Sequence, residues 1–268
     1  MQMRSLPSEQ INLKASSDEN LLYSLPSHKP KNRFRSVQVL IATLNEQEGI
    51  GPTISELKDN LSKASFLVVD GRSTDQTVNI AENLGAKVVM QDGLGKGDAI
   101  AKSIEYIDPH AKYIVITDAD YTYPAEFVPE MIKLLEENPE VGMVCGNRFT
   151  DNVDKKALRN VFYFGNRLIA FTHNLLNGVE LVDPLTGLRV VRSEILRNWK
   201  VQSKGFDIEV ELNHYVEQQG FGIIEIPINY RQRLGKKKLG IRNGGEIFKR
   251  MLIELAHETV NPLPKLEY

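Results

Sequence analysis

A single cysteine, Cys145, is all that the 268 residues provide, so no disulfide can close within the chain and no cysteine-rich zinc site can be built. Long apolar runs are missing too. No stretch reaches the roughly 20 residues that a membrane-spanning helix needs, and the first residues lack the hydrophobic segment of a secretory signal. Charge of one sign is scarce: the net charge of −2 leaves no broad electrostatic footprint for nucleic acid, although basic residues gather locally towards the C-terminal end. These absences set the expectation of a reducing, cytoplasmic setting, no nucleic-acid partner, and membrane contact made only peripherally. With 41% hydrophobic and 25% charged residues, what remains suits one sizeable globular domain with a full core.

Residues 1–35 are polar, with Ser, Pro, Asn and Lys interleaved and no sustained period, and read as a flexible leader. From there the chain alternates. Val37–Ala42 reads as a buried strand, followed by the turn Thr43-Leu44-Asn45-Glu46 and a helix from Ile50 to Leu61. Phe66–Val69 repeats the step through Asp70-Gly71-Arg72-Ser73-Thr74-Asp75 into a helix from Gln76 to Leu84, stopped by Gly85. Lys87–Met90 is a third short strand, and Gly95-Lys96-Gly97 opens the next helix. The chain then reaches Tyr113–Asp120, a β-branched run that ends in two carboxylates. Glu126–Glu137 follows as a helix and Val141–Cys145 as a strand. Alternation of this kind predicts an α/β fold, a single Rossmann-like, mostly parallel sheet with helices on both faces.

In such sheets ligands bind beyond the carboxyl ends of the strands. Asp118 and Asp120 stand at i and i+2 on extended backbone, so both side chains leave the same side. Two hard oxygen donors there suit Mg²⁺ or Mn²⁺ bridging to a diphosphate. A solvated turn or a cap is the competing reading of an isolated Asp-x-Asp. Asn45, Glu46 and Asp70 fall on the same sheet edge, where carboxylates accept hydrogen bonds from a base or ribose. Ser73 and Asp75 read as caps of the next helix. Lys96 brings a cation to a helix start, as a phosphate ligand or as a surface lysine.

Together, Thr43-Leu44-Asn45-Glu46, Val69-Asp70-Gly71-Arg72-Ser73-Thr74-Asp75, the Gly-Lys-Gly helix start and Asp118-Ala119-Asp120 resemble the nucleotide-sugar half of family 2 glycosyltransferases. The resemblance implies a GT-A fold over residues 36–243, ahead of a C-terminal amphipathic helix and tail at 244–268. It assigns Thr43, Asn45, Glu46, Asp70, Lys96 and Ala119 to the nucleotide sugar, and Asp118 and Asp120 to the same ligand through a divalent metal. Asp120 is then the direct ligand, while Asp118 is left between ligation and binding of ribose and metal water.

The second half is similar to the dolichyl- and polyprenyl-phosphate mannosyltransferase type within that family. Gly146-Asn147-Arg148-Phe149 stands where that type has Gly-Ser-Arg-aromatic. Val182-Asp183-Pro184-Leu185-Thr186-Gly187-Leu188-Arg189, Phe206-Asp207-Ile208-Glu209 and Tyr230-Arg231-Gln232-Arg233 match further segments. By this resemblance Arg148, Arg189 and Arg233 hold the acceptor phosphate, Arg231 and Lys237 the donor, and Asp118, Asp120 and Arg148 are catalytic. The implied reaction is inverting transfer from a nucleotide-diphosphate sugar to a polyprenyl or dolichyl phosphate at the cytoplasmic face of a membrane. GDP-mannose is the favoured donor. Thr122, where mannosyl enzymes carry Gln, keeps UDP-glucose or a UDP-N-acetylhexosamine as the alternative. A non-catalytic nucleotide-sugar binding module is the third possibility. Arginine suits a lipid phosphate because its planar fork matches phosphate oxygens. An already ionised phosphate acceptor needs little help from a general base. Ala157–Leu176 reads as an amphipathic helix, core-packed or interfacial. The lysines at 236–238 read as a solvated turn or an anion-binding loop.

Overall fold

Successive residues of the central strands point to opposite faces, and each face carries its own apolar cluster. This computed structural model describes residues 34–149 and 181–235, together with Gly245. The expected leader through residue 33, the segment 157–176, Lys237 with its neighbouring lysines, and the expected C-terminal helix and tail, apart from Gly245, lie outside the described residues. Elements are numbered among those described. They run β1 (Val37–Thr43), α1 (Ile50–Asn60), β2 (Ser65–Asp70), α2 (Thr77–Asn83), β3 (Lys87–Met90), α3 (Lys96–Ile104) and β4 (Tyr113–Asp118). A 3₁₀ turn (Ala125–Phe127) leads into α4 (Val128–Glu137) and β5 (Val141–Asn147). The rest is β6 (Arg189–Arg192), α5 (Ser193–Arg197), α6 (Ile208–Gln218) and β7 (Gly222–Pro227).

The strands form one sheet in the order β3-β2-β1-β4-β6-β5-β7. β1 pairs in parallel with both β2 and β4, β2 with β3, and β5 with β7, while β6 runs antiparallel between β4 and β5. Val39, Ile41, Val68, Val115 and Val144 meet Ile54, Leu57, Met131 and Leu135 of α1 and α4 on one face. Leu40, Leu67, Ile114, Ile116 and Met143 meet Ile100, Ile195, Leu212 and Val216 of α3, α5 and α6 on the other. Burial on both faces explains why β1, β2 and β4 are continuous apolar runs. Phe34 is already buried in the first cluster, so the packed unit begins before the expected boundary at residue 36.

The register brings the chemistry together. Thr43 lies opposite Asp70, and Ala42 opposite Asp118, so the ends of β1, β2 and β4 form one edge. The antiparallel β6 begins at that edge, with Arg189 opposite both Ile116 and Cys145. The start of α3 is held there by close backbone packing. Gly97 donates its N–H to the carbonyls of Lys204 and Gly205, each at 3.1 Å, and a Cβ at this position would overlap the Ser203 carbonyl.

Gly97→Ala therefore sets a small gain in helix propensity against forced backbone movement. We expect a net loss of about 1–3 kcal/mol from overpacking, read as a lower urea midpoint at unchanged slope. A midpoint at or above that of the parent would show that the 203–205 loop yields freely.

Candidate active site

The Asp-x-Asp turn at the end of β4 is built from three directions. From α1, Gly49 lies so close that a Cβ would press on the Ala119 carbonyl and the Asp120 backbone. From the loop before β6, a Cβ on Gly187 would collide with the Asp118 carboxylate and the Tyr123 ring, and the Gly187 N–H donates to the Tyr123 hydroxyl at 2.6 Å. From the segment after β7, Arg231 N–H donates to the Thr122 carbonyl at 2.9 Å and Leu234 N–H to that of Asp120 at 3.0 Å.

Beneath the turn, the Lys96 ammonium lies 2.6 Å from Asp118 Oδ1 and 2.7 Å from Glu209 Oε1. Burial opposes charge on this lysine, yet the two carboxylates outweigh it and its pKa is raised. Burial likewise pushes Asp118 up, but the Lys96 charge and hydrogen bond, helped by Arg148 and Arg233, hold its carboxyl below the ordinary range. Asp120 goes the other way. Burial and the neighbouring Asp118 charge raise it, against hydrogen bonds from Thr122 and the Arg233 charge. Thr122 donates to Asp120 Oδ1 from its hydroxyl at 2.6 Å and from its N–H at 3.2 Å. That leaves Oδ2 facing Arg233, whose Nη1 is 3.6 Å away.

The expected arginines take different places. Arg148 forms a fork on Asp183, with Nε and Nη2 each at 2.7 Å, and its guanidinium lies 5.4 Å from the Tyr230 ring centre. Two of its five N–H donors are so engaged, which leaves the others for an anion. Arg233 donates to Glu46 Oε1 at 2.8 Å, while its Nε is buried without a hydrogen-bond partner. It stands beside the carboxylates of Glu46 and Asp120 at the edge. Arg231 does not face that edge. It is paired at 2.6 and 2.8 Å with both oxygens of Glu56 and lies over the Tyr121 ring at 4.7 Å, so the expected direct contact with the donor is not what its fork makes.

Arg189, expected on the acceptor phosphate, requires a correction. It is 1% exposed and donates to the carbonyls of Thr186 at 2.9 Å and Pro184 at 2.7 Å and to the Asn213 side chain. It staples the 184–189 loop from within, and no face of it meets solvent. Asp70 is corrected similarly. It is fully buried, and its two oxygens accept the Ser73 hydroxyl at 2.5 Å and N–H at 2.7 Å. Its carboxylate shapes the 70–75 turn from within. Ser73 also accepts the Asn45 N–H at 2.7 Å, and Asn45 Oδ1 accepts from Thr74 N–H, so Ser73 ties two turns rather than capping α2. Asp75 does take the first N–H of α2, from Thr77 at 3.0 Å. Thr43 is buried at the edge, with its hydroxyl lacking a hydrogen-bond partner, and Ala119 is buried within the turn.

Asp118 and Asp120 are the donors that could hold a divalent ion. Among the described residues no group of three His, Cys, Asp or Glu side chains is arranged to do so. Two hard carboxylates at a partly exposed edge fit Mg²⁺ or Mn²⁺, which keeps water and substrate phosphate as its remaining ligands. Glu209, Asp183 and Glu56 were not expected at the site. Glu209 and Asp183 lie inside the quoted motifs, whereas Glu56 sits on a helix face with no signal in its neighbourhood.

Residues 38–199 match the family model described as Glycosyl transferase family 2. The chain is 31% identical to a dolichyl-phosphate hexose transferase of Haloferax volcanii over 229 residues, 84% of this chain and 96% of that one. It is 28% identical to an undecaprenyl-phosphate mannosyltransferase of Micrococcus luteus, across 76% of this chain and 87% of that one. Glucosyl-3-phosphoglycerate synthase of Mycobacterium tuberculosis, solved with Mn²⁺, UDP-glucose and phosphoglyceric acid, superposes with a TM-score of 0.68 at 19% identity and covers 86% of each chain.

Replacing Arg189 separates the two roles. Arg189→Ala takes this donor from the Thr186 carbonyl and the Asn213 side-chain oxygen and leaves a cavity, and should lower stability by about 3 kcal/mol. Denaturant unfolding measures this. A variant of parental stability with only its acceptor kinetics impaired would return Arg189 to the phosphate.

Proposed function

The chain belongs to glycosyl transferase family 2 and has the GT-A fold, and on that footing we propose that it transfers a hexose from a nucleotide-diphosphate sugar to a polyprenyl phosphate. The observation that carries this reading is the convergence of Asp118 and Asp120 with the guanidinium groups of Arg148 and Arg233 at one sheet edge. Carboxylates and cations there have complementary tasks. Asp118 and Asp120 would hold Mg²⁺ or Mn²⁺, which when bound neutralises the charge that builds on the departing nucleoside diphosphate. Arg233, already beside Asp120, adds a positive charge on the leaving side, and Glu46 orients it.

Arg148 is fixed by Asp183 and flanked by Tyr230 and Phe149, a setting suited to the acceptor phosphate at the open side of the turn. That phosphate is itself the nucleophile, so positioning and charge outweigh proton transfer. Attack from the face opposite the leaving group inverts the anomeric carbon. A lipid-borne acceptor also calls for a membrane surface. The reading is peripheral attachment; no helix among the described residues is long and apolar enough to cross a membrane. The names of the Haloferax and Micrococcus relatives support a lipid-phosphate acceptor.

The donor has two readings. GDP-mannose agrees with the mannosyltransferase relative. UDP-glucose or a UDP-N-acetylhexosamine is favoured by Thr122, whose hydroxyl is spent on Asp120 and offers no further metal ligand of the kind that Gln provides in mannosyl enzymes. Incubation of the protein and Mn²⁺ with each labelled donor and a short polyprenyl phosphate should give one labelled lipid product. No product from any of the three donors would overturn the transferase reading.

In the same assay Asp120→Asn should remove metal-dependent transfer while leaving the urea midpoint close to the parent's, because one charge and little packing are lost. Arg148→Ala should cut kcat/KM for the lipid about ten- to a hundredfold, as expected for a charge-assisted contact that strengthens in the transition state. Near-normal values for Arg148→Ala would leave that arginine with only its Asp183 pair.

A further inference from the structure

Residues 230–235 run along the Asp-x-Asp turn, joined to it by backbone hydrogen bonds from Arg231 N–H to Thr122 and from Leu234 N–H to Asp120 and, at the Tyr230 end, by the edge-on packing of Tyr230 against Tyr123. They are not a strand of the sheet, and Gly235 turns away at φ +81°. Something else must hold this strap, because Arg233 has to be placed to within a hydrogen bond of Glu46 and close to Asp120. We propose that Glu56, on α1, and Arg231 form the anchor that positions Arg233 for the donor diphosphate, so that both act on the reaction without touching the substrate. This rests on the reading that the edge binds a nucleotide-diphosphate sugar.

The geometry at Glu56 is that of a fixed post. Both of its oxygens accept from the Arg231 fork, at 2.6 and 2.8 Å, and Oε1 also takes the Ala125 N–H at 3.2 Å. The planar guanidinium is closed on its other side by the Tyr121 ring. Tyr121 itself is held at φ +66°, a left-handed conformation that costs energy for a residue with a side chain, so the surroundings must impose it. The pair thus joins three pieces that sequence separates: α1, the turn after β4 and the strap. Arg233 follows two residues later on the same short strap, where it meets Glu46 and Asp120. On this proposal, releasing Arg231 from Glu56 loosens the placement of Arg233 beside Asp120.

A direct ligand and an anchor predict opposite signs for one substitution. If Arg231 were a phosphate ligand restrained by Glu56, releasing it with Glu56→Gln would leave donor affinity unchanged or improve it. As an anchor, the loss of Glu56 must weaken the donor. The test compares Glu56→Gln, Arg231→Lys and the double variant in the full chain. It uses the nucleotide sugar that stabilises the wild type most, among GDP-mannose, UDP-glucose and UDP-N-acetylglucosamine with Mn²⁺.

We expect the Arg231 and Leu234 amides to exchange with deuterium about tenfold faster in each single variant, as for a locally loosened segment, with Val39 and Val115 unchanged. The donor KM should rise about tenfold, with kcat and the acceptor KM within about twofold, and the double variant should be no worse than either single one. Unchanged exchange at the two amides overturns the anchor. Faster exchange with an unchanged or lower donor KM overturns the coupling, as does a rise confined to the acceptor KM. Faster exchange throughout the sheet assigns the pair to global stability and overturns the proposal as well. A wild type that neither binds nor transfers any of the three donors overturns the functional reading, and the coupling with it, while the exchange result still decides the anchor.

Discussion

A lysine ammonium buried between two carboxylates is the contact on which the rest of the site depends. Taking the Lys96 and Glu209 charges out of water is costly unless they are paired at short distance, and Asp118, which keeps part of its carboxylate in solvent, completes the pairing. Lys96 meets Asp118 and Glu209 at hydrogen-bonding distance. Asp118 ends β4, Lys96 begins α3 and Glu209 lies in the first turn of α6, so one ion triad ties both halves of the chain to one side of the turn. It also favours the charged form of Asp118, against the opposing effect of burial.

Around that triad the structure spends its glycines where backbones must touch. Gly49, Gly97 and Gly187 each lie where a Cβ would meet the turn or its supports. None of the three has a positive φ, so the requirement is space rather than conformation. The carboxylates Asp183, Glu56 and Glu46 then each hold one arginine. Arginines close together repel one another, and pairing each with its own acid lets Arg148 and Arg233 gather at the edge with Arg231 nearby. The acids differ in what they leave available: Asp183 leaves part of the Arg148 fork open, whereas Glu56 takes both terminal nitrogens of Arg231.

Much of the fold was legible from periodicity. β1 to β5 and α1 to α4 fall within one to three residues of where the apolar runs and turn residues place them, because strands buried on two faces read as continuous β-branched runs. β6 was not legible as a strand. It has four residues, bounded by arginines, and its antiparallel direction depends on where the preceding chain re-enters the sheet. The motif around Asp183 therefore read as a ligand segment, although its arginine, Arg189, is interior. Arg189 illustrates the reason: a fully buried arginine and a phosphate-binding arginine have the same letter, and only the acceptors around it tell them apart.

What the sequence by itself determined is the alternation of strands and helices, the carboxylates at the end of β4, and the ordered motifs that mark the family. These are properties of chain-local spacing, since side-chain direction along a strand and the chemistry of a turn depend on near neighbours. What only the tertiary structure decided is the partner of each charge: Lys96 with Glu209, Arg148 with Asp183, Arg231 with Glu56, Arg233 with Glu46. Those pairs join residues from 35 to 187 positions apart. No local pattern encodes such a choice, because it is made by which strand ends the sheet register brings to one edge and by the cost of leaving a buried charge alone.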